Sequence, residues 1–174
     1  PVSDGDMVGS SRNTVDAYKD KLTSEIRATL DEQRSQMVTV CMNLTNDFNK
    51  ASIVRASNAF LGKAVYMVGN RRYDKRGTVG THHYEHVYHA DGWEELFELL
   101  IADGYTLFPV DNREEFNPKV INEVVFPAKS AFVYGEEMAG LSDDVIRACN
   151  GDMVFIRQRG SVRSLNVAQA AAIT

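Results

Sequence analysis

Cysteine is scarce in this chain, which has only Cys41 and Cys149 among its 174 residues. Two thiols in separate apolar runs make no disulfide framework, so we expect both to be reduced and packed in the interior. No apolar run approaches the roughly 20 residues that a membrane-spanning helix needs. Residues 1–6 also lack the basic start of a signal peptide. These absences predict a cytoplasmic protein with no membrane segment.

Disorder, repeats and extreme charge are missing as well. The chain is 44% hydrophobic and 25% charged, which is ordinary for a globular protein. Its length fits one domain with a substantial core. The formal net charge of −5 argues, weakly, against a protein whose whole surface binds nucleic acid.

Predicted strands and helices alternate along the chain. An amphipathic helix is predicted from Asn13 or Thr14 to Gln36, and a capping box of Asp91 and Glu94 predicts the start of another. Short apolar runs predict strands over 37–42, 64–68, 86–89, 105–110, 130–134 and 153–156. Further helices are predicted over 50–61, from 142 and over 164–174, with a short one at most in 113–127. This order predicts an α/β fold in which helices flank a parallel sheet.

The common nucleotide-binding fingerprints are absent. The loop after the first predicted strand, residues 43–49, contains no glycine, so it is not a dinucleotide-binding turn, and there is no phosphate loop. An ordinary doubly wound small-molecule enzyme is therefore disfavoured. In open parallel sheets ligands collect at the carboxyl ends of the strands, and here residues 43–55, 135–142 and 157–166 carry the polar residues at those ends.

Three segments at these strand ends carry a family resemblance. They are residues 49–62, from Asn49 through Arg55; residues 132–142, with Gly135 and Glu137; and residues 156–172, which contain the run Ser164-Leu-Asn. Together and in this order, they resemble the SpoU (TrmH-like) RNA ribose 2′-O-methyltransferases of the SPOUT superfamily.

The resemblance implies a fold and an activity. It implies a deep trefoil knot in the C-terminal half, an S-adenosylmethionine site inside the knot, an RNA substrate (tRNA or rRNA) and a homodimer. The chain then divides into a flexible N-terminus with a helical extension, residues 1–36, and a SPOUT methyltransferase domain, residues 37–174.

The same resemblance implies catalytic roles. It gives the central role to Arg55, beside the Gly135 and Leu165 loops, although a guanidinium stays protonated and is a poor free base. Arg55 either takes the ribose proton with the help of a substrate phosphate or only clamps that phosphate; alternatively it is a surface arginine. Asn49 and Asn166 hold the nucleotide or cap helices. Glu137 either orients Arg55 or accepts backbone amides, and Ser164 either contacts substrate or caps the last helix.

The cofactor-binding residues implied by the family match are mostly apolar residues and glycines. Backbone groups and apolar walls suffice to hold an adenine ring, and each apolar member taken alone is more often plain core. The predicted cofactor-binding residues are Pro109, Val110, Gly135, Ile156, Gly160 and Leu165.

Positive charge is concentrated in two segments despite the net acidity. Phosphate contacts need only a local patch, and Tyr73 offers a ring for stacking. A merely solvated loop is the alternative for the first segment. The predicted RNA-binding residues are Arg71, Arg72, Lys75, Arg76, Arg159 and Arg163.

All four histidines lie within residues 82–89. The strand predicted there scatters their side chains and no cysteine is close in sequence, so we predict polar surface or an RNA contact and no metal site.

Two positions depart from the family pattern. Lys50 stands where the family usually has a small residue, and Arg157 replaces the usual proline. Both support a second hypothesis, a non-catalytic RNA-binding module that keeps the SPOUT fold.

Overall fold

The computed structural model describes residues 14–70 and 72–174. The predicted flexible segment before residue 14, the alternative cap Asn13 and the predicted RNA contact Arg71 lie outside the described residues. The strands are β1 (Val38–Met42), β2 (Ala64–Val68), β3 (Val87–Ala90), β4 (Thr106–Val110), β5 (Lys119–Val120), β6 (Ser130–Tyr134) and β7 (Val154–Phe155). The helices are α1 (Thr23–Asp31), α2 (Asp47–Ala59), α3 (Glu94–Ala102), α4 (Asp143–Ala148) and α5 (Val167–Ile173).

The seven strands form one sheet in the order β3-β2-β1-β6-β4-β7-β5. All of the pairings are parallel, as the alternation of strands and helices predicts. All five residues of β1 and of β6 are buried, which explains why these strands are continuous apolar runs in the sequence.

Helices cover both faces of the sheet. Successive residues of a strand point to opposite faces, and in β1 Val40 packs in a cluster with α3 and α4, whereas Cys41 packs in a cluster with α2 and α5. Burial raises the pKa of the Cys41 thiol to about 12. The predicted α/β fold with a parallel sheet between helices is therefore confirmed.

The long helix predicted from Thr14 to Gln36 is wrong. A 3-10 turn, Asp16–Tyr18, precedes the shorter α1. Leu22 interrupts the predicted stripe because it is extended and forms the N-cap of α1, where Glu25 accepts its backbone N–H at 2.8 Å. Of the predicted apolar stripe, only Ile26 is a buried residue of α1.

Other differences follow from helix capping and from a short strand. The capping box at Asp91 is wrong, because α3 begins one residue after an N-cap at Trp93 that makes no side-chain cap bond. Asn46 caps α2, which therefore begins earlier than predicted, and Asn166 caps α5, which begins later. The two-residue strand β5 was not predicted.

Candidate functional site

Glu137 forms the centre of a hydrogen-bonded cluster at the carboxyl end of the sheet. Its Oε2 accepts the backbone N–H of Thr45 at 3.2 Å and the Thr45 hydroxyl at 3.3 Å. Its Oε1 accepts the backbone N–H of Asn46 at 3.2 Å and the Asn49 side-chain amide at 2.9 Å. Glu137 therefore accepts backbone amides, which is the second of its two predicted roles, and none of these bonds involves Arg55.

The three sequence segments meet in this cluster. Asn49 Nδ2 donates to Glu137, while Asn49 Oδ1 accepts the side-chain amide of Asn166 at 2.9 Å. Asn166 also caps α5 by accepting the backbone N–H of Ala168 at 2.9 Å. Asn49 itself lies inside α2, where Asn46 performs the capping, so Asn49 is not a cap. A continuous Glu137–Asn49–Asn166 chain therefore connects β6, α2 and α5.

The environment of Glu137 favours its charged form. Partial burial alone raises its pKa, but the hydrogen bonds from Asn49 and from the backbone outweigh burial and lower the pKa below the ordinary value of 4.5. Glu137 is thus an acceptor of hydrogen bonds at neutral pH, and its two oxygens fix the loop after β6 against the start of α2.

The loop after β6 folds back on itself at Gly135. A backbone bridge joins Glu136 to Gly140, whose φ is +69°. A Cβ on Gly135 would lie 2.2 Å from the carbonyl carbon of Gly140 and 2.4 Å from the nitrogen of Leu141. The close approach of the two backbone segments requires glycine at position 135.

A cavity of about 510 Å³ lies between this loop and the loops after β4 and β7. This volume is in the range of small-molecule sites, about 300–1,000 Å³. Polar and charged side chains line it together with apolar side chains and backbone groups, and the buried Oε1 of Gln158, one of the lining residues, has no hydrogen-bond partner. The cavity therefore fits a ligand that combines an apolar ring with hydrogen-bonding groups, as adenosine does.

Most of the residues predicted to bind cofactor line this cavity. Those that line it are Val110, Gly135, Ile156 and Leu165, together with the predicted catalytic residues Glu137, Ser164 and Asn166. Pro109 is a buried residue of β4 and Gly160 is exposed, and neither lines the cavity. Ser164 does not cap α5, because Asn166 does.

Arg55 lies on the solvent side of α2. It is exposed, and it does not line the cavity beside Gly135 and Leu165 where the family match implied it. Arg55 lies six positions after Asn49 in the sequence, which corresponds to a distance of about 9 Å along the helix axis. No salt bridge of the described residues involves Arg55, so its guanidinium is available to an anion from solvent.

The predicted RNA-binding residues differ in their pairing. Arg72, Lys75, Arg159 and Arg163 are exposed, whereas the guanidinium of Arg76 is paired with Asp74, its Nη2 lying 2.6 Å from Oδ2. The backbone carbonyl of Arg163 accepts the side-chain amide of Asn112 at 3.2 Å, which joins the loops after β4 and β7. Arg157, one of the two family departures, pairs with Glu123 and does not line the cavity.

Several residues that shape the site were not predicted. Thr45, Asn46 and Asn112 hold the loops together through the bonds described above, and Asp111 Oδ2 accepts the backbone N–H of Leu141 at 3.4 Å. Their only sequence signal is that each polar residue follows a buried strand. Their partners lie 30 to 92 residues away along the chain, which local pattern does not reveal.

Residues 14–70 and 72–174 contain neither a metal-binding cluster nor a membrane-spanning helix. These residues contain no group of three or more histidine, cysteine, aspartate or glutamate side chains that could hold a metal ion. None of their helices has both the length and the apolar character needed to span a bilayer.

The sequence and fold match known proteins. Residues 36–174 match the model of the SpoU rRNA Methylase family, so the chain belongs to this family, whose members are RNA methyltransferases. No curated protein matches it.

Solved structures share the fold. A TrmH/SpoU tRNA modifying enzyme of A. aeolicus is 21% identical with a TM-score of 0.76, over 87% of this chain and 77% of that one. The SpoU methyltransferase AviRb of Streptomyces viridochromogenes, in complex with AdoMet, is 22% identical with a TM-score of 0.69, over 80% and 56%. An RNA 2′-O ribose methyltransferase is 22% identical with a TM-score of 0.70, over 78% and 52%. The chain thus spans about half the length of the last two. The trefoil knot, expected for the family, stays a prediction.

Proposed function

We propose that this protein is an S-adenosylmethionine-dependent RNA ribose 2′-O-methyltransferase that acts on tRNA or rRNA. The observation that carries this proposal is the Glu137–Asn49–Asn166 chain, which joins the three family segments at the rim of the 510 Å³ cavity. Family membership and neighbours that include an AdoMet complex and a ribose methyltransferase support it.

The cavity residues offer two kinds of contact to the cofactor. Val110, Ile156 and Leu165 offer apolar walls, and the folded-back loop at Gly135 offers backbone groups. When bound, S-adenosylmethionine supplies an electrophilic sulfonium methyl group. The protein's task is then to hold a ribose 2′-hydroxyl in line with that methyl and to assist loss of the hydroxyl proton.

The polar residues have separate roles in this proposal. Glu137, ionised and already accepting four hydrogen bonds, positions Asn49 and the loop rather than acting as a base. Arg55 carries no carboxylate partner among the described residues, and its exposure on α2 favours a clamp on an RNA phosphate over a free base. The phosphate that it holds then fixes the adjoining ribose.

The non-catalytic alternative rested on Lys50 and Arg157. Lys50 is a wholly buried residue of α2, and Arg157 pairs with Glu123, so neither obstructs the cavity. The arrangement therefore favours methyl transfer. We also propose a homodimer in the cytoplasm: the family resemblance supports the dimer, and the free thiols Cys41 and Cys149 support a reducing compartment.

Labelled cofactor and bulk tRNA and rRNA test the activity. A 2′-methyl group blocks alkaline cleavage of the backbone, so we expect label in alkali-resistant dinucleotides. Label confined to bases would overturn the ribose assignment. A protein that neither binds the cofactor in calorimetry nor labels RNA would instead be the non-catalytic module.

Arg55→Ala tests the clamp. We expect turnover to fall at least 100-fold while calorimetry shows cofactor affinity within twofold of wild type, since Arg55 lies outside the cavity. Arg147→Ala is the matched control, because Arg147 is also an exposed helical arginine, with 70% of its side chain accessible. Equal activity of the two variants would remove Arg55 from the mechanism.

A further inference from the structure

A second, broad groove runs along the other side of the first turn of α2. Its walls are α1, the chain between β2 and β3, and the edge strand β3. It shares no lining residue with the 510 Å³ cavity. Among its lining residues are Arg27, Asp47, Tyr73, Glu85 and Tyr88, and all four histidines.

Three carboxylates of this groove pair with two buried cations beneath it. Asp31 and Glu85 both pair with Arg34, at 2.7 and 3.1 Å, and Asp47 pairs with Lys50 at 3.3 Å. The side chains of Arg34 and Lys50 are each only 1% accessible, and that of Glu85 is wholly buried. Two buried cations thus offset two of the three carboxylate charges, which leaves these five residues with a net charge of −1.

Three cations line the groove, of which Arg72 and Lys75 are exposed and Arg27 is half-buried. Arg27, Arg72 and Lys75 line it, and the salt bridges of the described residues include none of them. Arg27 is held in place because its Nη2 donates to the carbonyl of His83 at 2.8 Å. Three arginine and lysine charges without a carboxylate partner make the groove electropositive in an otherwise acidic protein, and a polyanion complements it.

Aromatic rings line the same wall. Tyr88 is 49% exposed on β3. Its ring lies 6.3 Å from that of His86 at an interplanar angle of 8°, and 5.3 Å from that of Tyr66. Nucleic-acid bases stack on such rings whatever their sequence, and cations beside the rings pair with the phosphates.

Lys50 connects the groove with the rim of the 510 Å³ cavity. Its ammonium group donates to the backbone carbonyls of Asn70, at 3.4 Å, and of Arg72. The neighbouring residue, Asn49, is bonded to Glu137. The first turn of α2 thus fixes the basic wall of the groove on one side and the rim of the cavity on the other, which explains a lysine where the family resemblance has a small residue.

We propose that this groove is a second RNA-binding site, which holds single-stranded nucleotides that flank the nucleotide to be methylated. The inference rests on the proposed function for the identity of the RNA as substrate, and it adds the path that the strand follows. Phosphates contact Arg27, Arg72 and Lys75, and one base stacks on Tyr88.

The test measures binding of a fluorescent single-stranded oligoribonucleotide by anisotropy at several salt concentrations. The charge variant is Arg72→Gln/Lys75→Gln, and the stacking variant is Tyr88→Leu. The matched control is Lys119→Gln, because Lys119 is an exposed lysine on β5 at the opposite edge of the sheet. Full-length protein is used throughout.

Charge and stacking have different signatures. Loss of two phosphate contacts reduces the slope of log affinity against log salt concentration by about 1.4, at about 0.7 per contact with single strands. Tyr88→Leu weakens binding on the order of tenfold and leaves the slope unchanged. In methylation assays the loss of activity in both variants is a higher KM for RNA. Their cofactor affinity in calorimetry stays within twofold of the wild-type value. Lys119→Gln behaves as wild type.

If both groove variants bind RNA as tightly as the wild type does, the groove inference is overturned. Methylation of RNA by the wild type would in that case show that the proposed function still stands. If the wild type methylates no RNA, the proposed function fails, while the anisotropy measurement still decides whether the groove binds RNA. Competition by poly-glutamate as strong as that by RNA of equal charge would identify the groove as a docking surface for acidic protein segments and overturn the RNA assignment.

Discussion

Replacing Glu137 by glutamine tests the link between the three family segments. Each oxygen of Glu137 accepts two hydrogen bonds, Oε1 from Asn46 and Asn49, and Oε2 from Thr45. Glutamine keeps one oxygen and presents an NH₂ group on the other side. The best orientation turns the NH₂ towards Thr45, because the threonine hydroxyl can rotate and accept, whereas the backbone N–H of Thr45 cannot.

The expected cost is therefore at least one hydrogen bond to a charged group. Such bonds contribute about 1.5–3 kcal/mol each, and the partial exposure of Glu137 favours the lower part of that range. A loss of about 2 kcal/mol lowers the Tm of a chain of this size by about 4–8 °C.

Urea denaturation followed by circular dichroism measures this loss. Glu136→Gln is the matched control, since it removes the same charge from the same loop, and only the backbone of Glu136 takes part in hydrogen bonds of the described residues. Equal free energies of unfolding for the two variants would refute the proposed role of Glu137.

The pH dependence gives an independent check. The pKa of Glu137 is lowered in the folded state, so its contribution to stability is complete above pH 4.5 and is lost as the pH falls through the folded-state pKa. The gap between wild type and Glu137→Gln should narrow below pH 4.5. A gap that stays constant to pH 3 would show that the charge of Glu137 is not what stabilises the loop.

Two further substitutions test the folded-back loop at Gly135 and the buried pair of Arg34 and Glu85. Gly135→Ala should weaken cofactor binding in calorimetry at least tenfold, because its Cβ would lie 2.2 Å from Gly140. Gly160→Ala is the control and should bind the cofactor as wild type does, since its Cβ would have no atom within 4 Å. Equal cofactor affinities of the two variants would show that binding does not need the shape of the loop at Gly135. Arg34→Met leaves the buried Glu85 without its cationic partner and should lower the free energy of unfolding by about 3–5 kcal/mol in urea titrations. Because burial already raises the pKa of Glu85 and Arg34 opposes that effect, the stability of Arg34→Met should recover as the pH falls from neutral towards 5, and no recovery would contradict the pairing.

Sequence predicted every strand except β5, and the predicted and observed bounds of these six strands agree within a residue. The β1, β2 and β6 strands are each five residues long and almost continuously apolar, and their predicted and observed bounds agree within a residue. By contrast, β5 has two residues, Lys119 and Val120, and exists only because β7 pairs with it. Nothing in its local composition distinguishes such a strand from a loop.

Within the site, sequence predicted the residues better than their partners. The family match brought Asn49, Glu137 and Asn166 together in advance, and the structure joins them. It also implied that Arg55 lies with the cofactor loops, yet Arg55 is exposed outside the cavity. Hydrogen-bond partners depend on where loops meet in three dimensions, and no periodicity in the chain encodes that meeting.

The first turn of α2 connects the cavity that we assign to the cofactor with the groove that we assign to RNA. Asn49 on this turn is bonded to Glu137 at the cavity, and Lys50, the next residue, holds the basic wall of the groove through Asn70 and Arg72. Adjacent helical residues point about 100° apart, so one turn faces both regions at once. An RNA strand bound in the groove is therefore positioned by the same helix that fixes the cavity rim. The separation between the groove and the reacting ribose is then set by α2 and does not depend on the flexibility of the loops.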